Sequence, residues 1–141
     1  VEGLAHDAAA GALLLLCKDV PGKARQHQVA IYAWSLKHGR LGGARLAVPY
    51  SDLARVTGAP EFNGSAMAIS PGGKSLVLVA GPQQTFAEIA PDGRVLRGGA
   101  FPRGVHRQPE GAAFAPDGTL LISSEAAGRH ATLAGYLPAK S

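Results

Sequence analysis

The 141-residue chain has one cysteine, Cys17, so no disulfide bond within the chain can stabilise its fold. Cys17 ends a strongly apolar segment, and we expect its thiol to be packed and inert in a buried strand. No apolar run approaches the roughly 20 residues of a membrane-spanning helix, because the longest one, residues 11–17, ends at Lys18 and Asp19. A disulfide scaffold and a transmembrane helix are therefore both excluded for this stretch of sequence.

Sequence motifs for common catalytic sites are also missing. The chain has no GxSxG nucleophile elbow, HExxH pair, paired-cysteine zinc spacing, phosphate-binding loop or dinucleotide fingerprint. Ser123 and Ser124 stand beside Glu125, but nothing in the sequence places a base next to either hydroxyl. The sequence predicts no nucleophilic mechanism.

Positive charge is present without the other signs of nucleic-acid binding. The chain has 14 basic and 10 acidic residues, and the basic residues are scattered over expected turns. Their one local concentration comprises Arg94, Arg97, Arg103 and Arg107. Because aromatic residues make up only 6% of the chain and no recognition motif is present, we expect solvated turn charges and no nucleic-acid partner. Arg103 and Arg107 lie at the entry to the third of three sequence repeats, where they could attract an anionic ligand.

What the sequence does contain is a repeated β pattern rich in turn residues. With 19 Gly, 10 Pro and 46% hydrophobic residues, the chain is expected to be globular. An apolar strand, opened by an acid or amide plus glycine and closed by a glycine turn, occurs three times. Gly3, Gly64 and Gly111 mark the repeats and lie 61 and 47 residues apart, the latter within the period of blade-type β repeats. The three phrases are VEGLAHDAAAGALLLLCKD, FNGSAMAISPGGKSLVLVAG and PEGAAFAPDGTLLISSEA.

Each repeat divides further into short strands. Gly tolerates the positive φ of tight turns and Pro fixes the approach to them, so the PGG at 71–73 and the PDG at 91–93 and 116–118 predict hairpins. The third repeat ends without a fourth strand. The predicted strands are 4–6, 12–17, 29–36 and 40–48, then 65–70, 75–79, 85–90 and 95–100, then 112–115, 119–124 and 131–137, with one short helical stretch at 51–56.

This pattern predicts an all-β fold made of β-propeller blades. A blade buries both faces of a four-stranded antiparallel sheet against its neighbours, which suits apolar runs such as 13–17 and 76–79. We expect about three blades, at 1–50, 60–102 and 107–138, forming one partial propeller domain. Because the chain begins just before an inner strand, we interpret it as the C-terminal portion of a larger ring. Three blades alone would expose apolar faces, so either self-association or missing N-terminal blades are expected.

The same phrases carry a resemblance to a known family. VEGLAHD with LLLLCKD, IYAWSL, FNGSAMAISPGGKSLVLVAG and QPEGAAFAPDGTLLISSEA resemble the SdiA-regulated family of six-bladed β-propellers. Relatives of that family include the phytase-like esterase and the NHL or gluconolactonase-type propellers. The resemblance spans almost the whole chain and matches the final half of the ring. It implies a bacterial protein with a periplasmic or secreted location, and a site that is incomplete without the first three blades.

Three oxygen-bearing side chains occupy one repeated position. Glu2, Asn63 and Glu110 each directly precede the glycine that opens an inner strand, and in a propeller these positions surround the central channel. Carboxylate and amide oxygens suit calcium, which accepts them in flexible geometry. The sequence therefore offers Glu2, Asn63 and Glu110 as metal ligands and calcium as a cofactor. The alternative is that they only cap the strand starts.

A second group of candidates lies around these positions. Lys18, His6 and Arg107 are candidates for ligand binding, whereas His106 and Glu125 are candidates for catalysis because they are titratable and lie near the repeat starts. Each histidine could instead be an ordinary turn or surface residue. Lys18 and Glu125, which follow the second strands of the first and third repeats, could instead form an ion pair between blades.

Two functions from different classes remain open. The first is a binding propeller that engages a small molecule or a protein on one face, with calcium in its channel. The second is a metal-assisted hydrolase of a phosphoester or lactone, with Glu2, Asn63 and Glu110 as ligands and His106 or Glu125 handling protons. The absence of a nucleophile–base motif from the sequence favours the binding propeller.

Overall fold

The structure, a computed structural model, describes residues 1–17 and 26–140 and is nearly all β. One eight-residue helix, α1 (Tyr50–Thr57), follows the fourth strand. No helix in the described ranges has the length and apolar character needed to cross a membrane. The strands are β1 (Gly3–Asp7), β2 (Ala12–Cys17), β3 (Gln28–Ser35), β4 (Arg40–Pro49), β5 (Gly64–Ile69), β6 (Leu76–Ala80), β7 (Thr85–Ile89), β8 (Val95–Ala100), β9 (Pro109–Phe114), β10 (Leu120–Ser124) and β11 (Thr132–Tyr136).

The strands form three antiparallel sheets in chain order. The first sheet has the order β1-β2-β3-β4, the second β5-β6-β7-β8, and the third β9-β10-β11. Each sheet is a meander in which neighbouring strands are consecutive in sequence, as in propeller blades. The predicted all-β blade fold is confirmed, and the third sheet has three strands as expected.

The hairpins form where the sequence predicts them, because their geometry is set locally. Gly93 and Gly118 adopt φ values of 91° and 87°, which side chains with a Cβ rarely tolerate. In the same turns, the Asp92 and Asp117 carboxylates each accept the backbone N–H of the residue two positions later, at 2.9 Å. Gly42 and Gly43 lie inside β4, beside register irregularities in its pairing with β3.

The second sheet is buried on both of its faces. Met67 and Leu78 pack toward the first sheet and helix α1, whereas Val77 and Val79 pack toward the third sheet around Ile122. Every residue of β6 is therefore buried, which explains the unbroken apolar sequence LVLVA.

The first sheet is buried mainly on one face. Leu14 and Leu16 face the core, while the alternate residues of β2 are half-exposed, so the expectation that the run 13–17 is buried on both faces is wrong for this strand. Cys17 is accordingly half-buried rather than buried. The register places one continuous row of side chains on the other side, which we call the open face: Leu4, His6, Leu13, Leu15, Tyr32, Trp34 and Leu41.

The inner strands pack side by side across the blades. β1 contacts β5, and β5 contacts β9, so the three strand starts lie along one edge of the molecule. We call this edge the upper face and the opposite edge, where the inner strands end, the lower face. The upper face carries the residues that the repeats single out.

Candidate functional site

Glu2, Asn63 and Glu110 lie at equivalent places on the upper face. Glu2 and Asn63 immediately precede β1 and β5, and Glu110 is the second residue of β9. The Glu2 N–H donates to the Leu16 carbonyl at 2.9 Å, and the Asn63 N–H donates to Gln83 Oε1 at 3.0 Å. Glu2 and Glu110 are exposed and Asn63 is half-buried. The backbone is thus held in place while the side chains remain near solvent.

Two buried serines hold the backbone directly before Glu110. Ser65 Oγ donates to the Pro109 carbonyl at 2.6 Å and accepts the Gly81 N–H at 2.9 Å, which joins the second sheet to β9. Ser124 Oγ accepts the Gln108 N–H at 2.9 Å. Buried hydroxyls with defined partners fix a loop more tightly than solvent contacts do. Glu110 is therefore presented from a rigid segment.

His106 lies beneath the upper face rather than on it. Its ring is 1% exposed and packs edge-on against Phe101, with centroids 5.0 Å apart. Its Nε2 lies 2.8 Å from the Tyr136 hydroxyl, while its Nδ1 has no hydrogen-bond partner. Burial lowers the pKa of His106 below its usual value. The turn-or-surface interpretation is wrong for His106, and the ring cannot meet a substrate in this conformation.

A polar cavity of about 310 Å³ opens on the upper face beside His106. The segment between β8 and β9 forms one wall, and the segment between β10 and β11 forms the other. Thr132 Oγ1 donates to the Val105 carbonyl at 3.0 Å and joins the two walls. The ionisable residues that line the cavity are Arg107, Glu125, Arg129 and His130.

The charged groups that line this cavity do not pair with one another. Among residues 1–17 and 26–140, Arg107, Glu125 and Arg129 form no ion pair. Arg107 is held through its backbone, because Gln84 Nε2 donates to its carbonyl oxygen at 3.0 Å. Its guanidinium is therefore free to bind an anion, while Glu125 can accept hydrogen bonds.

The structure brings some predicted residues together and separates others. Arg107 and Glu125 share the polar cavity, and His106 lies under it. His6 is exposed on the open face opposite Leu13, roughly 13 Å along the strand direction from Glu2 at about 3.3 Å per residue. Lys18 lies outside the described residues, so the pairing of Lys18 with Glu125 stays a prediction.

The donors at the strand starts match calcium in kind. Two carboxylates and an amide are hard oxygen ligands, although calcium takes about six to eight oxygens and three side chains supply only part of that number. In the described part of the chain, no group of three or more His, Cys, Asp or Glu is placed to hold a metal ion. Further oxygens would have to come from carbonyl groups or water.

Sequence reasoning missed Ser65, Arg129, His130 and Tyr136. The sequence signal for Ser65 is slight: it is a single hydroxyl within an otherwise apolar strand, GSAMAI. Arg129 and His130 are ordinary turn residues in sequence, and only the fold sets them opposite Arg107. Tyr136 gives no signal, because its bond to His106 spans 30 residues.

Comparison with known proteins supports a type of fold and does not identify a function. No protein-family model and no curated protein sequence matches the chain. Solved structures do match: a luciferin-regenerating enzyme (TM-score 0.60, 16% identity, 87% of this chain and 36% of that one), the calcium-binding protein regucalcin from Agrobacterium tumefaciens (0.50, 14%, 84% and 37%) and a streptogramin B lyase (0.50, 12%, 97% and 54%).

The chain spans between about a third and a half of the length of these three proteins. At such low identity the likeness speaks for architecture alone. These neighbours are β-propeller-like, and the chain shares their β-propeller type of fold.

Proposed function

We propose that this chain is part of a ligand-binding β-propeller of the SdiA-regulated type and that its ligand is a small polar anion carrying hydroxyl groups. The observation that carries the proposal is the 310 Å³ cavity on the upper face. It combines two arginines, a histidine and a carboxylate on two loops that are anchored to the sheets. A volume near 300 Å³ is at the lower end of the range for small-molecule sites.

The chemistry of the lining selects this ligand class. Arg107 and Arg129 each offer a planar fork of N–H donors, which matches a carboxylate or phosphate. Glu125 is an acceptor and suits a ligand hydroxyl. A polyhydroxy carboxylate presents both groups on one small molecule.

The hydrolase alternative receives less support from the same geometry. It assigns proton transfer to His106 or Glu125, and the His106 ring is buried and bonded to Tyr136. Catalysis through His106 would require the segment between β8 and β9 to move away. Binding at the cavity requires no such movement, so we favour a binding function.

The proposal includes a calcium ion bound near Glu2, Asn63 and Glu110. Support comes from their shared position at three strand starts and from the rigid backbone around Glu110. The regucalcin neighbour is a calcium-binding protein, which agrees with this assignment without establishing it for this chain. In the proposal, the ion stabilises the channel side of the upper face and takes no part in chemistry.

The ligand proposal predicts that Arg107→Gln weakens binding of gluconate, a polyhydroxy carboxylate, by about fivefold, as expected for loss of a partly exposed charged contact. Isothermal titration calorimetry measures the affinity. The matched control is Arg103→Gln, which changes an exposed arginine on the same segment that does not line the cavity. Equal affinities for all three proteins, or no binding by the parent, would refute the assigned site.

The calcium proposal predicts that Glu110→Gln weakens calcium binding by about tenfold, because glutamine keeps the size of the side chain and removes a ligand charge. Calcium titration of the parent and the variant is the measurement. Glu61→Gln serves as the control, because Glu61 is exposed just before β5 and is not among the proposed ligands. If the residues only cap strands, Glu110→Gln will leave the calcium response unchanged.

A further inference from the structure

A second and larger cavity lies on the lower face, between the second and third sheets. Its volume is about 580 Å³, compared with about 310 Å³ for the cavity on the upper face. The turn between β5 and β6 and the turn between β9 and β10 form its mouth. None of the residues that the repeats single out for function lines it.

The floor of the lower cavity is aromatic and aliphatic. Phe86, Phe114 and Tyr136 come from β7, β9 and β11, and they account for three of the eight aromatic residues in the chain. Val77 and Leu120 complete the apolar surface. The Tyr136 hydroxyl is bonded to His106. Three rings from two sheets thus form an apolar surface suited to a flat hydrophobic group.

At the rim of the cavity, Glu88 holds Arg97 in position. Ser75 Oγ donates to Glu88 Oε1 at 2.6 Å, and Arg97 Nε donates to Glu88 Oε2. Burial alone would raise the pKa of Glu88, but the bonds from Ser75 and Arg97 outweigh it and lower the pKa. Glu88 is therefore charged, and it holds Arg97 through Nε alone. The terminal amino groups of Arg97 remain available, and its side chain is 66% exposed.

Lys74 adds a second positive charge at the same mouth. It lies in the turn between β5 and β6, is exposed and lines the cavity. No residue in the described ranges accepts a bond from its amino group or pairs with it. The cavity thus combines an apolar floor with two cationic groups at its rim, while Asp117 stands on the opposite turn.

We propose that the lower cavity binds an aromatic carboxylate, with the ring against Phe86, Phe114 and Tyr136 and the carboxylate between Arg97 and Lys74. The arginine supplies fork-like hydrogen bonds and the lysine supplies a point charge. The lower cavity has a volume well within the range of about 300 to 1,000 Å³ for drug-sized ligands. This site is separate from the anion site on the upper face and does not depend on it.

Titration calorimetry with 2-naphthoate, an aromatic carboxylate, tests the proposal. Lys74→Gln and Arg97→Lys should each weaken binding by about fivefold. Lys74→Gln removes a positive charge, whereas Arg97→Lys removes the planar pair of N–H donors and keeps the ion pair with Glu88. Arg94→Gln changes an exposed arginine in the neighbouring turn that does not line the cavity, and it should leave the affinity unchanged. The neutral alcohol 2-naphthalenemethanol should bind at least about fivefold more weakly than 2-naphthoate.

The location of the probe is checked separately, because the open face of the first sheet is also apolar. Methyl resonances of Val77 and Leu120 should shift on addition of 2-naphthoate, and those of Leu4 and Leu13 should not. Trp34→Ser on the open face and Arg107→Gln on the upper face should both retain parent affinity. The proposal is overturned if Trp34→Ser abolishes binding, if the alcohol binds as well as the acid, or if millimolar 2-naphthoate produces no response.

Discussion

At the scale of single residues, His106 lies in surroundings very different from those of the free amino acid. It is buried against Phe101, is bonded to Tyr136 through Nε2 and has no partner at Nδ1. Burial lowers its pKa below 6.5 in the folded protein. The protonated ring has an N–H donor at both nitrogens, and the donor at Nδ1 has no acceptor here, which is costly in an apolar site.

We predict that the free energy of unfolding falls as the pH is lowered through about 6.5. In the unfolded chain, His106 has its usual pKa. Below that pH, the unfolded state therefore binds more protons than the folded state. The stability that neutral His106 provides is lost as the pH falls to the pKa of His106 in the folded protein. Urea unfolding between pH 5 and pH 8 measures this change. His106→Gln should cost about 1 to 2 kcal/mol at pH 8 and reduce the pH dependence.

The control for the histidine prediction is His38→Gln, which alters an exposed histidine in the turn between β3 and β4. It should keep both the stability and the pH profile of the parent. A parent whose stability does not change between pH 5 and pH 8 would contradict the assignment to His106.

At the scale of elements, helix α1 lies on the outer strands of the second sheet because β8 contains a glycine at the contact. A Cβ at Gly98 would lie 2.6 Å from the Phe86 carbonyl oxygen and 2.8 Å from a methyl group of Val56 in α1. Backbone on one side and a helix on the other leave little room for adjustment. Gly98 therefore allows the close approach of β7, β8 and α1.

We predict that Gly98→Ala lowers the free energy of unfolding by about 1 to 3 kcal/mol, the usual cost of overpacking. Thermal and urea unfolding followed by circular dichroism are the measurements. Gly43→Ala is the matched control, because Gly43 lies in β4 with nothing within 4 Å of the added Cβ and should change stability by less than about 0.5 kcal/mol. Equal stability of the two variants would show that α1 is not closely packed on β8.

At the scale of the whole molecule, the open face of the first sheet exposes several large apolar side chains. Leu4 is 59% exposed and Trp34 is 39% exposed, in a row with Leu13 and Leu15. The outer side of the third sheet carries small residues together with Leu133, which is 71% exposed. Apolar side chains exposed on both end sheets suit packing of two copies in contact.

We predict that the isolated chain self-associates, with a light-scattering mass above the 14.4 kDa of one copy. Replacing Leu4 and Trp34 together by serine should shift the equilibrium toward the monomer, because it removes apolar area from the open face. Leu137→Ser changes a residue that is 81% exposed but lies outside that face, and it should not alter the mass. A parent that stays monomeric at high concentration would contradict this prediction.

The sequence by itself determined the blade pattern, because strands and tight turns depend on residues that are close along the chain. The strand Ala12–Cys17 and the strand Val95–Ala100 have the predicted bounds, and the PDG turns form where predicted. In these segments, alternation of apolar residues and the conformational freedom of glycine act within a few residues. The same local signals placed Glu2, Asn63 and Glu110 at strand starts.

Only the tertiary structure decided which polar groups are buried and where cavities form. Ser65 meets Pro109 across 44 residues, His106 meets Tyr136 across 30, and the lower cavity exists because two sheets leave space between their turns. The two sides of β2 read alike in sequence, yet only one faces a neighbouring sheet in the structure. Burial of a side chain depends on what packs against it, and those contacts come from distant segments that no local pattern specifies.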